Sequence, residues 1–228
     1  MKLFPKMFVI LRGGAGKDIS SGPLSDRVRH CAVKLITDKS VDTLLEVGVG
    51  EGLLAEAIIR GGSVKKIVGI DILKSQLIAA RKKISGGGVF EGDRVRGGSF
   101  DTVMALGDTL PFRGETFDSV ITINTLHNQP SWDEVSTLLG VVCSVVRPGG
   151  GVIFDIRNKR DPLISLAYRF STVIDPTTKR LPVNAYSISK IRKRLAEMGF
   201  EIVKKVPVRY RFWPIPSAFV IEAVKVTK

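Results

Sequence analysis

The sequence predicts an α/β fold in which a mainly parallel sheet lies between two layers of helices. Apolar runs at 44–47, 67–70, 119–124 and 151–156 alternate with stretches of helical character, the pattern of successive βα units. The first run passes straight into glycines at Gly48, Gly50 and Gly52 and then into a helix-forming stretch, Leu53 to Arg60. The second run ends in an acid, Asp71, about twenty residues beyond the loop.

Each element follows from its local pattern. Leu24 to Ile36 has helical spacing and packs beside the sheet, after a basic, glycine-bearing arm over Met1 to Ser21. Within the arm, Gly13-Gly14-Ala15-Gly16-Lys17 fails as a phosphate loop. The next residue is Asp18, which offers no hydroxyl for magnesium and adds negative charge. Strand one, a helix, strand two and a helix over Lys74 to Ile84 form two βα units. The glycine-rich stretch Ser85 to Ser99 is expected to be a loop or short hairpin inserted before strand three. Strand three is expected at Thr102 to Leu106 and strand four at Ser119 to Asn124. A helix over Trp132 to Val146 should start near Ser131 and stop at Pro148-Gly149. Strand five is Gly151 to Ile156.

Arg157 to Tyr186 lacks a clean period and reads as a cap, with one short helix around Pro162 to Phe170. Ser187 to Met198 is an amphipathic helix stopped by Gly199, and Phe200 to Val206 with Ala218 to Val226 form a final antiparallel pair. The organisation expected is therefore an arm and helix (1–40), a ligand-binding core (41–156), a cap (157–186) and a C-terminal helix and strand pair (187–228) that complete the same domain.

At 228 residues the chain can bury a sizeable core. Its net charge of +13 is uneven: residues 41–155 carry −3, residues 1–40 carry +5 and residues 156–228 carry +11. Basic ends around a slightly acidic core favour an anionic acceptor, a phospholipid surface or nucleic acid, or simply form a solvated basic face. The two cysteines, Cys31 and Cys143, lie far apart among apolar helical residues, which supports neither a disulfide nor a metal site. No apolar run reaches membrane-spanning length. The expectation is a soluble, cytoplasmic protein without an integral membrane segment.

Glu46-Val47-Gly48-Val49-Gly50-Glu51-Gly52 resembles the first motif of class I S-adenosylmethionine-dependent methyltransferases, whereas dinucleotide binders space their glycines as G-x-G-x-x-G. Gly107-Asp108-Thr109-Leu110-Pro111-Phe112, Phe117-Asp118-Ser119-Val120-Ile121 and Val146-Arg147-Pro148-Gly149-Gly150 resemble later blocks of the same family, in the same order. The likeness covers roughly Asp42 to Ile156 and is nearest to the broad group acting on quinones, lipids, sugars and other small molecules. It implies a Rossmann-like class I methyltransferase fold: seven strands, mainly parallel, with an antiparallel last strand. It also implies S-adenosylmethionine as donor and S-adenosylhomocysteine as product.

By that resemblance Gly48, Gly50 and Gly52 clear the backbone for the donor, Asp71 holds its ribose and Asp108 accepts from the adenine amino group. Leu73 and Leu110 sandwich the adenine, Glu46 acts near the charged tail, and Asn124 completes the donor side at the end of strand four. A strand-one acid can equally hydrogen-bond nearby backbone, and the two leucines can equally be core.

Methyl transfer from a sulfonium is an in-line displacement, so the protein mainly aligns the partners and, for a hydroxyl acceptor, takes a proton. Asn124-Thr125-Leu126-His127-Asn128 closes strand four, where such folds meet their substrates. His127 is the first candidate base and Asp155, at the end of strand five, the second, with Tyr186 a distant third. Strand four does not end in the N-P-P-Y type of loop that grips an extruded base. Neither cysteine suits covalent attack on a pyrimidine.

These features point to a small-molecule, lipid or saccharide acceptor methylated at oxygen. The segment Arg209-Tyr210-Arg211-Phe212-Trp213 interleaves cations with aromatics, which suits RNA, peripheral contact with a membrane, or simple cover for the sheet edge. An RNA methyltransferase is thus one alternative, and a non-catalytic donor-binding partner protein is another.

Overall fold

A computed structural model describes residues 23–86, 90–91, 94–95, 98–166, 184–210 and 212–227. The arm up to Ser21, and most of the cap with its turns, lie outside the described residues. The elements run α1 (Pro23–Thr37), β1 (Val41–Val47), α2 (Leu53–Gly61), β2 (Val64–Asp71), α3 (Lys74–Gly86), β3 (Phe90–Glu91), β4 (Arg94–Val95), β5 (Ser99–Met104) and β6 (Phe117–Thr122). A 3-10 turn (Leu126–Asn128) precedes α4 (Trp132–Ser144), β7 (Val146–Arg157), α5 (Ile188–Glu197), β8 (Phe200–Val208) and β9 (Ala218–Lys225). One helical turn at 162–166 opens the cap.

Seven strands form one sheet in the order β5-β2-β1-β6-β7-β9-β8, with β9 antiparallel to both neighbours and the other pairs parallel. β3 and β4 form the short antiparallel hairpin expected within the insertion. Two apolar cores cover the sheet. Val28, Leu35, Ile58, Ala80 and Ile84 from α1 to α3 pack on one face, and Val135, Leu139, Ile191 and Leu195 from α4 and α5 on the other. Because both faces are covered, β1 and β6 are buried almost continuously rather than at alternate residues.

Several boundaries differ from the sequence reading by a few residues, and two of the differences have a visible reason. β5 lies at Ser99–Met104, aligned with β2 from Lys66 to Asp71. The apolar run beyond it leaves the sheet, and Leu106 bridges to Thr109 across the Gly107-Asp108 turn. The helix α4 stops at Ser144, before Pro148, and β7 begins at Val146. The register of β7 against β6 shifts between Phe117 and Ser119, so Arg147-Pro148-Gly149-Gly150 is a bulge inside the strand, not a helix stop. Arg147 Nη1 bonds Asp118 Oδ1 across it at 2.7 Å.

Among the described residues, no helix is long and apolar enough to cross a membrane.

Candidate active site

The glycine loop follows β1 and is tied down onto the end of β2. The amides of Gly48 and Val49 both donate to the Ile70 carbonyl at 2.9 Å, and the Gly50 amide donates to Asp71 Oδ2 at 3.0 Å. Gly48, Gly50 and Gly52 have φ of 78°, 53° and 77°, the left-handed region that disfavours side chains. Two of these glycines also serve internal packing. A Cβ on Gly48 would lie 2.8 Å from Thr125 Oγ1, and one on Gly52 would lie 2.9 Å from the Ala80 Cβ of α3. Gly52 therefore allows α2 and α3 to meet, beyond the ligand clearance read from sequence.

Glu46 is buried beneath the loop. Gly52 caps α2 without a side chain, and the Glu46 carboxylate accepts from the Ala55 amide in the first turn of that helix. Its Oε2 has no hydrogen-bond partner among the described residues. Burial pushes the carboxyl up to about 8 and the Asp71 charge adds to this, while the Arg29 guanidinium and the Ala55 amide pull the other way.

Asp71, half-buried at the end of β2, spends Oδ2 on the Gly50 amide and Oδ1 on the Leu73 amide at 2.9 Å. Each oxygen keeps a second lone pair. Leu73 follows at the start of α3, and Asp108 sits on the tight turn beyond β5, where its Oδ1 accepts from the Thr109 hydroxyl at 3.3 Å. Leu110 is packed partly into the α4–α5 core. Three apolar side chains not singled out from sequence are exposed at the same end of the sheet: Ile72 at 37%, Met104 at 64% and Leu106 at 47%. Met104 stands beside Asp71 in register. The position of Ile72, directly after the strand-end acid, was the available signal.

Asn124, two residues beyond β6, has φ of 59°, uncommon for a residue with a side chain. Its amide donates to Asp155 Oδ1 at 2.6 Å, and its side-chain oxygen accepts from Arg157 Nη2 at 2.9 Å. Arg157 Nη1 pairs with Asp155 Oδ2 at 2.8 Å, and Nη2 also reaches Ser25 of α1 at 3.4 Å. Asp155 is fully buried; burial raises its pKa, with Arg157 and the Asn124 amide opposing.

Asp155, the second candidate base, takes one hydrogen bond on each oxygen and has no exposed surface, so it anchors the segment that follows β6. Arg157, read from sequence as the first cap residue, is the buried last residue of β7 and completes this anchor.

Thr125, beside Gly48, brings the end of β6 against the glycine loop. His127 follows in the 3-10 turn, buried, with its carbonyl accepting from the Asn184 amide at 2.9 Å. Tyr186 is held away from proton transfer, donating its hydroxyl to the Gln129 and Ser131 carbonyls at 3.0 and 3.3 Å. Trp213 likewise donates its indole N–H to buried Asp161 at 2.9 Å, which fixes one aromatic of the basic segment as structure.

Residues 45–154 match the model of a methyltransferase domain. The chain carries a methyltransferase domain on a Rossmann-like fold. Solved structures share the fold of this methyltransferase. An S-adenosylmethionine-dependent methyltransferase from Methanosarcina mazei is 20% identical, with 83% of this chain and 95% of that one covered and a TM-score of 0.68. Magnesium protoporphyrin IX methyltransferase from Synechocystis, with S-adenosylhomocysteine bound, is 17% identical over 96% and 92% of the two chains, TM-score 0.67. The N-methyltransferase NodS from Bradyrhizobium japonicum, in complex with S-adenosylhomocysteine, is 13% identical over 94% of each chain, TM-score 0.68.

The methyltransferase carries features that fit its donor. The buried, unpartnered Glu46 Oε2 is a polar atom in want of a partner, and a cationic ligand beside it would favour the ionised carboxylate. The exposed Ile72, Met104 and Leu106 supply apolar surface of the kind an aromatic base covers.

Without donor, the raised Glu46 pKa has a definite consequence for stability. Between about pH 4.5 and about 8 the folded state keeps a proton that the unfolded chain has released. Stability therefore falls as pH rises through this window, by on the order of 5 kcal/mol in total, and is level above it. Glu46→Gln is expected to be close to wild type at pH 4 and more stable at pH 9, as read from urea midpoints at the two pH values. Parallel pH dependence in both proteins would show that Glu46 does not hold the extra proton.

Proposed function

We propose that the methyltransferase holds its donor along Gly48 to Gly52 and Asp71 and methylates an oxygen of a small-molecule, lipid or saccharide acceptor lying beside residues 124–128. The carrying observation is the 2.8 Å approach of Thr125 Oγ1 to the Cβ position of Gly48, which sets the end of β6 against the donor loop. Side-by-side placement is what an in-line displacement requires of its two partners.

The sulfonium donor supplies an electrophilic methyl group. Asp71 has free lone pairs for the ribose hydroxyls, Asp108 accepts from the adenine amino group, and Leu73 and Leu110, with Ile72, flank the ring. Glu46 lies near the amino-acid tail, and Asn124 holds the donor side of β6. The chain's remaining tasks are to align the acceptor and to take its proton, and His127 is the candidate for the second.

If His127 is the base, His127→Ala lowers kcat by about 100-fold or more and removes the acidic limb of the pH–rate profile, while donor KM stays near wild type. An unchanged limb would remove His127 from proton transfer. An RNA acceptor is the second reading, favoured by the exposed cations Lys190, Arg192 and Lys193 on α5 and Lys204 on β8. It requires binding that weakens steeply with salt.

A further inference from the structure

Helices α4 and α5 lie in the same layer and enclose a groove of about 240 Å³ lined by Trp132, Ser136, Lys190, Lys193, Arg194 and Glu197. The floor is built. Ile191 and Leu195 anchor α5 in the core, which turns Lys190, Arg192 and Lys193 outward. Lys190 Nζ sits 5.6 Å from the centre of the Trp132 ring. Arg194 lies across α4 instead of reaching into solvent, with Nε donating to the Ser136 carbonyl at 3.4 Å.

The room for that guanidinium comes from Gly140. A Cβ there would stand 3.1 Å from Arg194 Nη2. Glycine in the interior of a helix costs about 1 kcal/mol relative to alanine, and an alanine methyl here would press the guanidinium aside by a few tenths of an ångström.

Charge on the groove is poorly balanced. Arg194 shares Glu197 at 3.4 Å, and among the described residues Lys190, Arg192 and Lys193 make no ion pair. Converging cations with an aromatic wall suit a phosphate joined to an organic group. One end is acidic, with Glu197 at the last turn of α5. A long polyanion running the length of the groove would meet this carboxylate, whereas one or two phosphates beside Lys190 and Lys193 would not.

We infer that the α4–α5 groove binds a small phosphate-bearing molecule, its phosphate among Lys190, Lys193 and Arg194 and its organic part against Trp132. Tyr186 joins the groove to the segment after β6, since its ring packs 6.0 Å from that of Trp132 and its hydroxyl bonds the Gln129 carbonyl. The ligand therefore lies on the acceptor side of the sheet. The groove belongs to α4 and α5 alone and would stand if the acceptor reading failed.

The test is titration of the isotope-labelled full chain with inorganic pyrophosphate at constant ionic strength, following the Trp132 indole N–H resonance. Trp213→Phe assigns it, because the chain has only two tryptophans. A saturable shift is expected. Lys190→Ala with Lys193→Ala should weaken binding about tenfold or more. Arg194→Gln removes the charge while keeping much of the side chain's length, and should weaken it about threefold or more. Absence of a saturable shift overturns the proposal, as does wild-type affinity in Arg194→Gln, which would reveal diffuse attraction only. So does a response to single-stranded RNA or phosphatidylglycerol vesicles with none to pyrophosphate.

Discussion

Asp155→Ala is expected to lower the unfolding free energy by about 3–5 kcal/mol, the range for removing one partner of a buried ion pair. Its loss leaves the Arg157 guanidinium, only 4% exposed, without its counter-charge, and strips the acceptor from the Asn124 amide. Asn124 also holds an unfavourable φ of 59° that this bond helps to fix, so the end of β6 loses its anchor together with the charge balance. Asp155→Ala combined with Arg157→Met should regain part of the loss, because no buried charge then remains unpaired. Urea unfolding of the three proteins decides it. A loss below about 1 kcal/mol in Asp155→Ala would mean that the pair is not buried as described.

The second large effect concerns the donor. Asp71→Ala should weaken S-adenosylmethionine binding on the order of 100-fold while leaving the fold in place. The carboxylate is half-buried at a strand end, so its removal opens no core cavity, but it frees the Gly50 and Leu73 amides that shape the loop. Asp71→Asn keeps one acceptor oxygen and should fall between the two. Calorimetric titration of the three proteins is the measurement, and affinity within about threefold of wild type in Asp71→Ala would take the donor away from β2.

Much of this molecule is legible in its residues because the signals are local. The run ending at Val47, the glycines after it and Asp71 at the end of the next run lie within one βαβ unit, and short-range patterns specify such units well. Ser131 before Trp132 fixed the start of α4 correctly, since its hydroxyl accepts from the Glu134 amide at 3.3 Å.

The misreadings come from tertiary context. Pro148 and Gly149 look like a helix stop, yet they form a bulge whose existence depends on the register of β7 against β6. Arg157 follows an apolar strand and reads as the first polar residue of a cap. Only the approach of Asn124, Asp155 and Ser25 from three separate elements gives a buried cation its place. The same long-range contacts make Asp155 an anchor for the segment that follows β6. The closeness of Gly140 to Arg194 is equally silent in sequence, because the two lie on different helices.

The central claim is methyl transfer from S-adenosylmethionine to a small-molecule, lipid or saccharide acceptor. Its most direct test is incorporation of a labelled methyl group into separated metabolite, lipid, saccharide and RNA fractions, with Asp71→Ala as control. Label should enter one of the first three fractions and be lost in the variant. Label confined to RNA, or donor binding with no label in any fraction, would contradict it.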